Sequence, residues 1–206
     1  HFFNPVRHMR LLEFVTGEET LPEVVEDLHE FGSDVLGKGI VYGKDTPNFV
    51  ANRIGMHGMM ATIHQMAEDD LNVEEVDALM GVPFGRPKSA AYRTADLVGL
   101  DTFAHVAGTC FDSPAEDEDR DVFKVPEWVT RMIDKGWLGN KSKQGFYKKE
   151  KVDGKKQYSR INWKTLEYEP CERPKLKTTK PTKGVEDPAK RVAKLMKAAA
   201  DADDKY

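Results

Sequence analysis

His1-Phe2-Phe3-Asn4-Pro5 and Leu11-Leu12-Glu13-Phe14-Val15 are two apolar runs, each built around one chemistry-bearing side chain. Twelve positions separate His1 from Glu13. A histidine at the end of one strand-like run and a carboxylate inside the next can form an acid–base dyad. The imidazole takes a proton, and the carboxylate holds the ring and stabilises the imidazolium that results. A lone histidine on a strand is more often structural, so the pairing carries the reading rather than His1 alone.

Outward from these runs the pattern alternates. His1 to Asn4 and Leu11 to Val15 read as short strands. From Thr20 a 3.6-residue period sets in, with Pro22 in the first turn and Val24, Val25, Leu28, Phe31, Val35 and Leu36 on one stripe. Gly37 and Gly39 stop it, and Ile40-Val41-Tyr42 reads as a third strand. Strand, strand, helix, strand belongs to an α/β sheet, but it is too short to complete one.

Beyond residue 45 the chain turns helical. Thr46 reads as an N-cap with Pro47 at the first helical position, opening a long helix to about Asp69. Asn72 and Glu75 stand at capping-box spacing before a helix through Met80. Gly81 to Pro87 reads as a loop, and further helices are expected at 88–98, 101–111 and 126–136. Residues 112–121 read as an acidic solvated loop. Val152-Asp153-Gly154-Lys155 carries a two-residue hairpin signal. The proline-punctuated stretch from 168 to 188 reads as a linker, and Asp187-Pro188 opens a last amphipathic helix ending near Ala202.

Composition bounds the function. The 206 residues are 39% hydrophobic and 32% charged, which suits a soluble globular protein. No apolar run is long enough for a membrane span, and no secretory signal pattern opens the chain. Cys110 and Cys171 form no metal or redox motif and read as reduced thiols, so the cytoplasm is the expected compartment. Residues 1–140 hold 12 Lys and Arg against 25 Asp and Glu, a net of −13, whereas residues 141–206 hold 19 against 10, a net of +9. No nucleic-acid recognition motif accompanies the basic end. An anionic cofactor such as CoA, or an acidic neighbouring domain, accounts for it as well. His57 and His64 lie seven apart on one helix face, but no third ligand is spaced to join them, so no metal is expected.

Several segments together resemble the 3-hydroxyacyl-CoA dehydrogenases. They are HFFNP at 1–5, LLEFV at 11–15, DTPNFVANR at 45–53, DLVGLDT at 96–102, and GWLGNKS at 136–142 followed by QGFY at 144–147. Asn48 and Lys143 each stand where the family pattern has glycine. The resemblance implies that His1 is the catalytic base and Glu13 its partner. It also implies that Asn52 positions the substrate near the reacting carbon; without the motif, Asn52 reads as a helix-surface amide. Asn4 is either a turn residue or a cofactor contact, and the resemblance places it beside the nicotinamide ribose. Arg53 reads as a structural ion-pair partner.

The implied fold is mainly α. Residues 1–45 would be the C-terminal remnant of a Rossmann α/β NAD-binding domain. Residues 46–148 would be an all-helical domain like the C-terminal domain of 6-phosphogluconate dehydrogenase, and residues 149–206 a hairpin, linker and terminal helix. The implied reaction is oxidation of (S)-3-hydroxyacyl-CoA to 3-oxoacyl-CoA by NAD in fatty-acid β-oxidation. Partners would be the acyl-CoA substrate, a second copy through the helical domain and a fused enoyl-CoA hydratase domain, which the 85–89 segment and the 168–188 stretch suggest. No G-x-G-x-x-G occurs in the chain, and it begins without methionine on a strand-like run. The expectation is therefore an excised piece of a longer enzyme, inactive alone. A second reading is a non-catalytic helical dimerisation module. A related β-hydroxyacid dehydrogenase is weakened by HFFNP, which those enzymes lack.

Overall fold

The computed structural model describes residues 1–113, 117–152 and 155–202. Near the N-terminus, β1 (Leu11–Val15) and β2 (Gly39–Gly43) pair in parallel, Leu11 opposite Gly39 and Val15 opposite Gly43. The crossover between them carries α1 (Pro22–Glu30), which runs on as a wider π-helical turn over Phe31–Val35. Parallel strands require such a crossover. The apolar stripe of this helix is not covered. Val24, Leu28, Phe31, Val35 and Leu36 are all exposed, and α1 buries no residue. A two-stranded sheet is too narrow to shelter a whole helix face. The strand expected at 1–4 shrinks to one antiparallel bridge, Phe2 to Leu12, because residues 4–8 turn away.

The helical part consists of α2 (Ala51–Glu68), α3 (Val73–Met80), α4 (Tyr92–Val98), α5 (Leu100–Asp112) and α6 (Glu127–Asp134). Its core joins Met60, Ile63 and Met66 of α2 to Val73 and Val76 of α3, Tyr92 and Ala95 of α4, and Phe103 and Ala107 of α5. The Tyr92 hydroxyl donates to Met66 Sδ at 2.8 Å, and its ring meets Phe146 edge-on at 4.8 Å. The Asn72 capping box is present in full: Asn72 accepts from Glu75 N, and the Glu75 carboxylate accepts from Asn72 N. No helix among the described residues is long and apolar enough to cross a membrane.

A three-stranded antiparallel sheet, β3 (Tyr147–Val152), β4 (Lys155–Ile161) and β5 (Tyr168–Pro170), closes the core from one side. The hairpin is thus observed, while Asp153 and Gly154 lie outside the described residues. The stretch read as a linker is packed instead. β5 joins the sheet, Leu176, Thr178 and Thr182 are buried, and α7 (Pro188–Ala200) docks through Arg191, whose guanidinium donates to the Val82, Val185 and Glu186 carbonyls. Prolines limit secondary structure but do not prevent burial between it.

The two signature segments around 96 and 145 form one joint. Asp96 is buried, and its carboxylate accepts the backbone N–H groups of Phe146 and Tyr147 at 2.8 and 2.9 Å. Gly139 and Gly145 permit this approach: a Cβ on Gly139 would overlap the Asp96 carbonyl, and one on Gly145 would overlap Asp96 Oδ1. Lys143 takes a left-handed φ of 62°, the conformation that glycine adopts freely. We expect Gly145→Ala to destabilise the fold by about 3 kcal/mol, as overpacking of a buried joint does. Urea unfolding measures this, and a loss within experimental error would show that the joint is looser than drawn.

Burial pushes the Asp96 carboxyl up to about 6, against the two backbone hydrogen bonds that pull it down. Its unfolded value is about 3.9. Between these values the folded chain binds a proton that the unfolded chain releases. The Asp96 contribution is therefore complete below the lower value and is lost as pH rises through the upper one. Desolvation also raises Glu74 and Asp77, in the same direction. Asp96→Asn isolates the Asp96 share, because the cost of turning an amide N–H₂ toward a backbone donor does not vary with pH. The unfolding free energy of the parent minus that of Asp96→Asn should fall between pH 4 and 7, and a flat difference would contradict the assignment.

Candidate active site

The backbone sets the first contact. His1 N donates to Glu13 O at 2.7 Å and Glu13 N donates to His1 O at 3.1 Å, the mutual exchange of a hydrogen-bonded antiparallel pair. Residues so paired stand directly opposite and project to one face. Twelve residues of intervening chain thus bring the two side chains together, with His1 Nδ1 2.7 Å from Glu13 Oε2. Glu13 is 1% exposed.

The other carboxylate oxygen is also occupied. Glu13 Oε1 accepts from Ala51 N at 2.6 Å and from Val50 N at 3.2 Å. These are unpaired donors at the start of α2, where the helix dipole also favours a negative charge. The N-cap assigned from sequence to Thr46 is therefore wrong. Thr46 Oγ1 turns to the Lys44 carbonyl, α2 begins at Ala51, and the capping carboxylate arrives from β1. The cause is local: Asn48 and Phe49 both adopt left-handed φ, 64° and 49°, which ends the first turn and aims the following N–H groups at Glu13. Asn48 takes the glycine position without loss of the turn, and its amide donates to the Val106 carbonyl and to Cys110 Sγ on α5.

With Glu13 accepting from Nδ1–H, the neutral imidazole keeps its lone pair on Nε2. The ring is held at its sides by Phe3 at 4.6 Å and Phe49 at 5.4 Å. One side of the pair opens on an apolar cavity of about 400 Å³, lined by Leu12, Phe14, Val24 and Leu28 among others. Asn52 sits half-buried on the first turn of α2, next to the capped Ala51, and its amide makes no hydrogen bond among the described residues. Asn4 is exposed in the turn after the bridge. The geometry thus joins His1 and Glu13 directly, sets Asn52 on the adjoining turn and leaves Asn4 at the surface. Arg53 pairs with Asp117 and lies over Phe123. His57 bonds Asp119, and His64 bonds the Val122 carbonyl. Sequence reasoning did not identify Phe49 or the α2 N-terminus as parts of the site, and the family pattern's glycine before the phenylalanine was the signal for such a turn.

Two family descriptions match the chain in succession: the NAD-binding domain of 3-hydroxyacyl-CoA dehydrogenase over residues 1–46 and the C-terminal domain of 3-hydroxyacyl-CoA dehydrogenase over residues 49–149. The chain is 46% identical over 205 residues to a probable 3-hydroxyacyl-CoA dehydrogenase of Bacillus subtilis, covering 100% of this chain and 25% of that protein. It is 30% identical over 174 residues to a putative fatty acid oxidation complex trifunctional enzyme of Rickettsia prowazekii, covering 84% of this chain and 24% of that one. A crystal structure of (S)-3-hydroxybutyryl-CoA dehydrogenase from Ralstonia eutropha superposes with a TM-score of 0.61 at 28% identity, covering 70% of this chain and 49% of that one. The chain belongs to the 3-hydroxyacyl-CoA dehydrogenase family. It spans about a quarter of the length of the two curated relatives described.

The Glu13 carboxylate takes three donors from two elements, so its removal strands all three. Glu13→Ala should lower stability by about 3 kcal/mol, the cost of leaving buried polar groups unpaired. Amide hydrogen exchange at Val50 and Ala51 should quicken in step. Unchanged protection at those two amides would mean that the cap is not formed in solution.

Proposed function

We propose that this chain supplies the catalytic base and the helical domain of an NAD-dependent (S)-3-hydroxyacyl-CoA dehydrogenase acting in fatty-acid β-oxidation. The observation that carries the proposal is the Glu13 carboxylate shared between His1 Nδ1 and the α2 N-terminus. That bond fixes the tautomer that leaves Nε2 basic. His1 Nε2 takes the proton of the 3-hydroxyl, and Glu13 stabilises the imidazolium. Asn52 offers its uncommitted amide to the substrate oxygen. NAD, when bound, supplies the hydride acceptor.

The fit of the chain to that cofactor is partial. It carries no glycine-rich dinucleotide turn, so other residues must hold the pyrophosphate, and Asn4 is the candidate for the nicotinamide ribose. By itself the 206-residue chain should bind NAD no tighter than about 0.1 mM, because the helix N-terminus that cradles a pyrophosphate is missing from it. Micromolar affinity by calorimetry would overturn this.

The decisive substitution is Glu13→Gln in an enzyme that carries this sequence together with a dinucleotide-binding half. An amide cannot serve both neighbours. If its oxygen faces α2, its N–H₂ donates to Nδ1, and the ring proton moves to Nε2, where it blocks the base. If its oxygen faces His1, its N–H₂ meets the Ala51 and Val50 donors. We expect kcat to fall at least about 100-fold with little change in KM, and His1→Ala to fall at least as far. An unchanged kcat for Glu13→Gln would remove the dyad from the mechanism.

A second reading has its own observation. Ile54, Leu97 and Val98 are more than half exposed on the helical part, which suits a homodimer through that region. The helical unit would then also act as an association module, with the domain boundaries near residues 45 and 148 and a hydratase domain fused in the longer protein. Deleting residues 1–45 should leave a dimer by light scattering. A clean monomer would assign association to the open edges of β1 and β2 instead.

A further inference from the structure

Residues outside the His1–Glu13 pair form a second concave site. A cleft of about 720 Å³ opens between the segment leading into α4 and the β3–β4 face, and none of its lining comes from residues 1–52. Lys88, Arg93, Lys143, Lys148 and Lys149 reach it, and Asp96 is its one lining carboxylate. Both Asp96 oxygens are taken by the Phe146 and Tyr147 N–H groups. Lys148 is paired with Glu150, which leaves four cations facing the space.

Arg93 is the unusual member. Its guanidinium lies 3.9 Å from the Tyr147 ring centroid and 6.0 Å from that of Tyr158. It is half-buried, yet it makes no side-chain hydrogen bond or salt bridge among the described residues. The carboxylates near enough to feel it are committed elsewhere: Asp96 as above, and Glu74 to the Glu172 N–H and to Arg160. A planar fork with five donors, held between aromatic rings and unspent, is suited to an oxyanion that takes two parallel hydrogen bonds.

We propose that this cleft binds the phosphate groups of a nucleotide, with Arg93 as the bidentate anchor, Lys88 and Lys143 as flanking cations and the exposed Tyr158 ring as the platform for the base. The cleft volume falls within the ~300–1,000 Å³ of small-molecule sites. A phosphate group matches the guanidinium fork as a carboxylate does and carries more charge against the lysines. A flat aromatic face favours a base next to it. The site stands apart from the dehydrogenase reading and does not depend on it.

The test uses the 206-residue chain at low ionic strength, with ADP, inorganic pyrophosphate and adenosine as calorimetric probes. ADP should bind with a Kd on the order of 0.1–1 mM, pyrophosphate more weakly, and adenosine not measurably. Arg93→Lys keeps the charge but loses the fork, and should weaken ADP at least about tenfold. Because Arg93 packs on Tyr147, the exposed Lys143→Glu serves as the second variant, with a comparable loss expected. Binding of ADP that both variants leave unchanged would overturn the proposal. So would no heat from any probe at about 5 mM. A glutamate-rich peptide that binds where all three probes fail would overturn it too, in favour of a protein partner.

Discussion

The fold and the site meet at one buried carboxylate. Glu13 takes one donor from His1 and two from the first turn of α2, so one side chain is both the partner of an imidazole and a helix cap. Burying a charge is costly unless every lone pair is matched, and here the matching groups come from different parts of the chain. The small parallel sheet and the helical core are thereby held in one orientation, and the same contacts orient the imidazole. A dyad on a free strand would have no such restraint.

The helical core repeats this device. Asp77 on α3 accepts the Ala91, Tyr92 and Arg93 N–H groups at the start of α4, as well as the Tyr147 hydroxyl. Asp96 on α4 accepts the start of β3. Each carboxylate satisfies backbone donors that a neighbouring element exposes at its end, which short helices cannot satisfy internally. Three acids thus tie sheet to helix, helix to helix and helix to hairpin. Desolvation raises Asp77 and Asp96, so these two ties carry an electrostatic cost that the hydrogen bonds offset only in part.

Much of this was legible in the residues, and the gaps share a cause. The His1–Glu13 pair, the Asn72 capping box, the helical run and the hairpin all follow from local pattern and spacing. Thr46 misled because Thr-Pro is a sound N-terminal signal on its own, whereas the true cap lies 38 residues upstream of Ala51. Local signals cannot show a capping group from another element. The α1 stripe marks a helix correctly but leaves its surroundings open, because periodicity shows that a face is apolar, not whether something covers it; Val35 is 69% exposed. Between β5 and α7 the prolines leave only a single 3₁₀ turn at Lys180–Thr182, yet Leu176 and Thr182 still find burial. The roles of Asp77 and Asp96 had no spacing to betray them, since their partners lie 14 to 70 residues away.

The departures from glycine show how far such constraints reach. At Asn48 a left-handed backbone is required for Val50 and Ala51 to face Glu13, and asparagine meets it at a modest conformational cost. Its amide then makes contacts that glycine has no atoms to make, to the Val106 carbonyl and Cys110 Sγ. The turn is therefore pinned to α5 by a side chain rather than by backbone geometry alone. Phe49, left-handed as well, carries the greater strain of a bulky residue, and its ring is set against the imidazole. A chain of contacts consequently runs from α5 through Asn48 to the α2 N-terminus, on to Glu13 and to His1. The position of the imidazole is therefore set by the packing of the helical core as well as by its own strand.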